Sequence, residues 1–380
     1  MSSLHRSGTP TDSAVARMMA DAVGESELDL SLGEPDQPLP DELVRSAKDS
    51  FDRQLTGYTP KLGLAELRDL ISNDVAASTG YSPSRDDVVV TVGGTEAVAV
   101  ALVASCRAGD LALIPDPAWP NYRVLSEQLG ISLQTYEQGP SGDGFLDLHS
   151  IERGLDDGAR LVVVNSPSNP TGALASAGVL HRLVELVRAH DAYILSDEAY
   201  EAIVFAGGRA PSPLADGGED VTFSARTFSK TYSMTGLRVG SLVSPPSFRT
   251  RVAAVHGTVV GCAPITAQLM AIEALRSLPG RGATMSAAYR ARFEAASAVL
   301  GPWMTETAAE DNGGFYLWLD AGSTGRSSAE LVEDIRSRGV VVSAGEVYSP
   351  TSTGFLRVAL SASDADLAAA FDVIRAVLER

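Results

Sequence analysis

The chain has 380 residues, 44% of them apolar, and a formal net charge of −18. Two domains are expected, because a single hydrophobic core stops growing at roughly 250–300 residues. The excess of acid, with no Lys/Arg cluster, excludes a nucleic-acid-binding face, and no apolar run nears the ~18 residues of a membrane-spanning helix.

The N-terminal stretch MSSLHRSGTPTDSAVARMMADAVG carries no apolar targeting core. Cys106 and Cys262 lie far apart, without CxxC or Cys/His spacing. Structural thiols in a cytoplasmic protein are therefore expected, with neither a metal site nor a disulfide framework.

From residue 88 the chain alternates short β-branched runs with helical patterns. VVVTV (88–92) leads through GGTEA into an apolar helix, and LALIPDP (111–117), SLQTYE (132–137) and RLVVVNSP (160–167) follow. SAGVLHRLVELVRAHD has apolar residues at helical spacing, and AYILSDE (192–198), VTFSA (221–225) and VGSLV (239–243) complete the series. Runs such as VVV between helices read as strands covered on both faces, the pattern of a mostly parallel α/β sheet. After about residue 275 the texture changes. A long charged helix, SAAYRARFEAASAVLGPW, precedes a hairpin-like pair, GGFYLWLDA and VVVSAGEVY…GFLRVALS, and then the helix DADLAAAFDVIRAVLER. The expected division is an N-terminal arm and part of the small domain over 1–40, a large domain over 41–275 and a small α+β domain over 276–380.

Ligands of open α/β sheets bind beyond the carboxyl ends of the strands, and the polar motifs fall there one after another. VTVGGTEAV puts Gly93, Gly94 and Thr95 at a helix start suited to an anion, although taken alone it also reads as a glycine turn capped by Thr95. NSPSNPTG places Asn169, Pro170, Thr171 and Gly172 after the LVVV strand, which is also good turn chemistry. ILSDEAYE ends a strand on Asp197 with Tyr200 three residues on; a helix cap would account for Asp197 as well. TFSKTYSMTGLRVG holds Lys230 and Arg238 between two apolar runs, where uncompensated charge is expensive.

In this order and spacing the four motifs resemble fold type I pyridoxal 5′-phosphate (PLP) enzymes, specifically the class I and II aminotransferases. The resemblance runs from SLGEPDQPLP to FLRVALS. It implies that Lys230 is the amine that condenses with the cofactor aldehyde and later carries a proton, and that Arg238 holds the cofactor phosphate with Thr95, Thr227 and the Gly93–Gly94 backbone. Ser229 joins that cup or merely satisfies local backbone. Asp197 would face the pyridine nitrogen, Asn169 and Tyr200 the phenolic oxygen, and Trp119 the ring, with Tyr122 a second aromatic candidate. Without the resemblance Trp119 reads as core and Tyr58 as a loop aromatic.

The resemblance further implies that Tyr58 reaches the phosphate of a neighbouring subunit, making a homodimer with shared active sites. Arg357, mid-strand in GFLRVALS, would bind the substrate α-carboxylate with help from Gly33 and Asn169. The function implied is amino transfer from an L-amino acid to a 2-oxo acid by a ping-pong route through pyridoxamine phosphate. Eliminating lyases, cyclases and oxygen-using oxidases or hydroxylases share these residues. A catalytically silent regulator is disfavoured, since only some 25 weakly basic residues precede LDLSLGEPD. HGTVVGCAPITAQ and SAGEVYSPTSTG are expected to border the substrate, with His256 either a pocket group or structural. No second arginine is placed for a dicarboxylate, so a neutral, aromatic or unusual amino acid fits.

Overall fold

The computed structural model describes residues 27–306 and 308–380, so the first part of the expected N-terminal arm lies outside the described residues. In chain order the strands are β1 (Leu28–Asp29), β2 (Val88–Thr91), β3 (Leu111–Asp116), β4 (Ser132–Glu137), β5 (Ala159–Asn165) and β6 (Tyr193–Asp197). They continue with β7 (Thr222–Thr227), β8 (Gly240–Val243), β9 (Tyr316–Asp320), β10 (Val340–Val341), β11 (Ser343–Ala344) and β12 (Phe355–Ala359).

Seven of these form one sheet, in the order β2-β8-β7-β6-β5-β3-β4. All its pairings are parallel except those of β8, which runs against both β2 and β7. The β-branched runs explain the central strands. Every residue of β2 and β8 is buried, while the polar alternation of SLQTYE belongs to β4, which is exposed at the sheet edge. Helix Gly93–Ser105 packs one face with Leu195, Phe223 and Leu242; helix Ala177–Ala189 packs the other through Leu180, Leu183 and Val187. A further cluster joins helices Asp41–Asp52, Ala65–Thr79 and Ile265–Ser277 to β2 and β8 through Leu43, Leu67, Val90 and Met270.

A separate cluster gathers Tyr289, Phe293, Phe315, Leu356, Phe371 and Ile374 around a three-stranded sheet in the order β11-β12-β9. β12 pairs antiparallel with β9, opposing Arg357 to Trp318. Of the expected hairpin-like pair, GGFYLWLDA and GFLRVALS lie side by side, while the VVVSAGEVY segment is divided between two sheets. Val340–Val341 pairs in parallel with β1, whereas Ser343–Ala344 pairs with β12. The run then ends at Gly345, where a Cβ would come within 2.3 Å of the Ser352 carbonyl oxygen. Tight folding of the 345–352 segment leaves no room for a continuing strand.

Beneath the sheet lies a buried ion network. Arg226 Nε donates to Glu198 at 2.8 Å, and Arg209 bridges Asp74 and Glu201 at 2.6 and 2.9 Å. Side chains alternate faces along a strand, so Glu198 and Arg226 point away from the face that receives their neighbours Asp197 and Thr227. Removing one member of a buried pair strands the other charge. Arg226→Ala is therefore expected to lower stability by about 3–5 kcal/mol, read from the urea midpoint of unfolding.

Candidate active site

The strand ends converge on one cavity of about 210 Å³. Asn165 closes β5, Asp197 closes β6 beside it in register, and Thr227 closes β7. Because β8 is reversed, the residue leading into it, Arg238, arrives at the same edge as the ends of its parallel neighbours. Gly33, Gly94, Thr95, Trp119, Asn169 and Asp197 line the cavity, as do Tyr200, Thr227, Ser229, Lys230, Arg238 and Arg357.

Gly93 adopts φ +78°, and a Cβ on it would lie 2.6 Å from Arg238 Nη2. Only glycine lets the guanidinium rest against this helix start. Gly94 brings its backbone against Thr227, 3.3 Å from the Thr227 Cβ to a built Cβ. Arg238 takes the left-handed conformation, φ +52°, and its Nη1 donates to the Thr235 carbonyl at 2.8 Å. Thr227 Oγ1 donates to Ser229 Oγ at 2.9 Å, so both hydroxyls sit at this end of the cavity.

Asp197 is buried and receives the Tyr122 hydroxyl at 2.6 Å on Oδ2 and the Ala199 N–H at 3.2 Å on Oδ1. Burial raises its pKa to about 6; the Tyr122 and Ala199 hydrogen bonds hold it from rising further. Tyr122 does not line the cavity. It stands behind Asp197, with Trp119 edge-on at 5.3 Å. Asn165, absent from the sequence-based site, donates to the Asp197 carbonyl at 2.9 Å and accepts the Asn169 N–H at 2.7 Å.

Lys230 donates from Nζ to the Gly33 carbonyl. Burial lowers its pKa to about 8, and the Arg357 and Arg238 charges push the same way. Arg357 is buried at the other end. Its Nη1 donates to Asn169 Oδ1 at 2.9 Å and its Nη2 to the Ser31 carbonyl. Its guanidinium carbon lies 4.3 Å from the Tyr316 ring centre and 4.8 Å from that of Tyr348. The Tyr316 hydroxyl also meets that of Tyr200 at 2.8 Å and sits where a Cβ on Gly33 would be. Tyr316 reads from sequence as an ordinary strand aromatic. Tyr348 lay within the segment expected to border the substrate.

Other expectations are placed elsewhere. Tyr58 does not reach the cavity of its own chain; it is 99% exposed. His256 is fully buried, between Glu96 at 2.6 Å and the Lys61 carbonyl at 2.7 Å, so it is structural and not a pocket group. No residue of HGTVVGCAPITAQ lines this cavity, because His256 and Gln268 anchor that segment to the 59–64 loop. Among the described residues there is no cluster able to hold a metal ion and no helix long and apolar enough to cross a membrane.

A titratable amine, a buried carboxylate and two guanidiniums at the carboxyl ends of a mostly parallel sheet define a site for condensing a carbonyl with an anionic substrate. Residues 25–374 match the family described as Aminotransferase class I and II, and the chain belongs to it. It is 29% identical to an aspartate aminotransferase of Pyrococcus horikoshii over 93% of this chain and 91% of that protein. It is 28% identical to aromatic-amino-acid aminotransferase 2 of Thermococcus litoralis over 93% and 92%. The solved structure of an aromatic aminotransferase from Pyrococcus horikoshii matches with a TM-score of 0.86 at 26% identity, covering 96% of this chain and 98% of that one.

The protein is thus a PLP-dependent aminotransferase of fold type I, acting on amino and 2-oxo acids. These likenesses give no support to the eliminating, cyclising or oxygen-using alternatives. The residues present fit the cofactor. A helix start pressed against Arg238, with two hydroxyls alongside, is a seat for a phosphate dianion, and a buried carboxylate faces the same space as the one titratable amine lining it.

Two measurements check these electrostatics. In the unliganded protein, labelling of Lys230 by an amine-reactive probe is expected to follow a midpoint of about 8. Tyr122→Phe deletes the donor at 2.6 Å and moves the Asp197 carboxyl titration above about 6, read in difference infrared spectra.

Proposed function

We propose that Gly93, Gly94, Thr95, Thr227, Ser229 and Arg238 hold the cofactor phosphate, that Asp197 faces the ring nitrogen and that Trp119 stacks on the ring. The observation that carries this reading is the convergence of Lys230, Asp197, Arg238 and Arg357 on one cavity, with the two guanidiniums approaching from different elements. When bound, PLP supplies an electron-withdrawing ring that takes up the charge left as the substrate Cα loses its proton.

The chain's own groups do the rest. Arg357, held by Asn169 and Ser31 between two tyrosine rings, binds the substrate α-carboxylate and fixes which Cα bond faces Lys230. Lys230, with its pKa lowered to about 8, gives up its proton in the mildly alkaline range rather than above pH 10, and moves the Cα proton from its tether beside Gly33. Asp197, hydrogen-bonded by Tyr122, keeps a negative charge where a ring N–H⁺ needs one. Tyr200 and Asn169 serve the ring oxygen.

The substrate reading is an L-amino acid with an uncharged, aromatic side chain, paired with a 2-oxo acid. The cations lining the cavity are Lys230, Arg238 and Arg357, each already assigned. The walls against Arg357 are the Tyr316 and Tyr348 rings, and Leu32 also lines the cavity, surroundings that suit an aromatic ring. The named activity of the Thermococcus litoralis relative supports the same class.

The active assembly in this reading is a homodimer. Tyr58, Phe51 and Val259 are exposed at 99%, 64% and 72%, apolar surface that a second copy would cover while Tyr58 reaches its phosphate. Two free thiols, Cys106 and Cys262, support a reducing, cytoplasmic setting. The division at 40 and 275 is retained, except that helix Ile265–Ser277 packs on helix Asp41–Asp52 and draws the larger part to its end.

A panel of amino donors with 2-oxoglutarate tests the substrate reading: phenylalanine or tyrosine should exceed aspartate in kcat/KM, and the reverse order overturns it. Arg357→Lys is expected to raise the donor KM on the order of tenfold or more, since Lys cannot reproduce the bidentate fork. Asp197→Asn should lower kcat by about 10²–10³-fold, as with other lost charge stabilisers.

A further inference from the structure

The first turn of helix Gly93–Ser105 contains a carboxylate, Glu96, next to the seat assigned above to a phosphate dianion. Backbone N–H groups and the helix dipole favour one anion at such a terminus, and a second anion competes for the same field. The structure gives this carboxylate two partners. Its Oε2 accepts from the N–H of Val92, just before the glycine pair, and its Oε1 lies 2.6 Å from His256 Nδ1.

His256 belongs to helix Arg249–Val259 and is fully buried; its Nε2 lies 2.7 Å from the Lys61 carbonyl oxygen. A carbonyl and a carboxylate both only accept, so this geometry calls for a hydrogen on each ring nitrogen, which is the imidazolium. Burial alone would favour the neutral ring, but Glu96 outweighs it and holds the His256 pKa above its ordinary value. The arginines of the same helix are engaged elsewhere, Arg249 with Asp87 and Arg251 with the carbonyls of Val103 and Cys106. From the loop side, Lys61 presents its carbonyl, and its aliphatic chain passes beside Gly257. Glu96 is thus the charge that pairs with this ring.

We propose that His256 is a positioning residue for the cofactor: by cancelling the Glu96 charge and tying it to the Lys61 loop, it lets the Gly93–Thr95 turn hold a phosphate dianion. The proposal rests on the phosphate reading of that turn. The same contact steadies the loop that presents Tyr58.

Apoenzyme titrated with PLP and, separately, with pyridoxal, which lacks the phosphate, gives two dissociation constants by absorbance. His256→Gln keeps hydrogen-bonding groups but removes the charge. It should weaken PLP about tenfold and leave pyridoxal unchanged. Adding Glu96→Gln removes the competing anion and should recover most of that loss. By NMR, the His256 ring of the wild type should titrate above the ~6.5 of a free imidazole, and fall back toward it in Glu96→Gln.

The proposal is overturned if His256→Gln weakens both ligands equally or neither, or if the double variant stays weak. Should His256→Gln not fold, the NMR comparison decides, with an unshifted His256 in the wild type as the adverse result. Thr95→Val separates the two readings. If it leaves the preference for PLP over pyridoxal intact, the seat itself is wrong; if it abolishes the preference while His256→Gln does not, only the His256 role fails.

Discussion

The architecture depends on one constraint: charge taken out of water must be met by opposite charge or by hydrogen-bond partners already in place. Asp197 shows how this is done. Its two oxygens receive a tyrosine hydroxyl and a backbone N–H, and the carbonyl of the same residue receives Asn165. Arg357 is met by an amide oxygen, a carbonyl and two aromatic faces. Each of these groups is fixed before any ligand arrives, so binding needs little reorganisation at the strand ends.

The opposite face of the same strands repeats the pattern with different residues. Glu198 and Arg226 follow Asp197 and precede Thr227, and they pair with each other beneath the sheet at 2.8 Å. Asp74, Glu201 and Arg209 extend that pairing to helix Ala65–Thr79 and to the loop after β6. A strand end that places a reactive group on one side is thereby tied down from the other. The period of two along a strand makes the arrangement possible.

Much of this was legible in the chain itself. Short apolar or alternating runs bounded by turn residues located all seven strands of the main sheet to within about two residues, the buried β-branched ones in its interior and the alternating SLQTYE at its edge. The polar motifs could be assigned to one edge, since strand ends in such sheets share an edge. What escaped was whatever depends on pairings distant in sequence. Tyr122 behind Asp197 is separated from it by 75 residues, and the Tyr316 ring beneath Arg357 looks like any aromatic in a strand. Asn165 was hidden by its position at the end of an apolar run. His256 pairs with a glutamate 160 residues away, a contact no local pattern announces. In the VVVSAGEVY run the β-branched content fits a strand, but its two halves pair with different partners, Val340–Val341 with β1 and Ser343–Ala344 with β12, and the crowding at Gly345 ends it.

The reversal of β8 has a consequence for how this region can change. Lys230 leaves the end of one strand and Arg238 enters the start of its antiparallel neighbour, with Thr227 opposite Gly240 in register. Both anchor points are pinned to the sheet, so the segment between them acts as a ruler of set length. One residue more or less would shift amine and guanidinium relative to each other, whereas loops returning through a long crossover helix can absorb such a change.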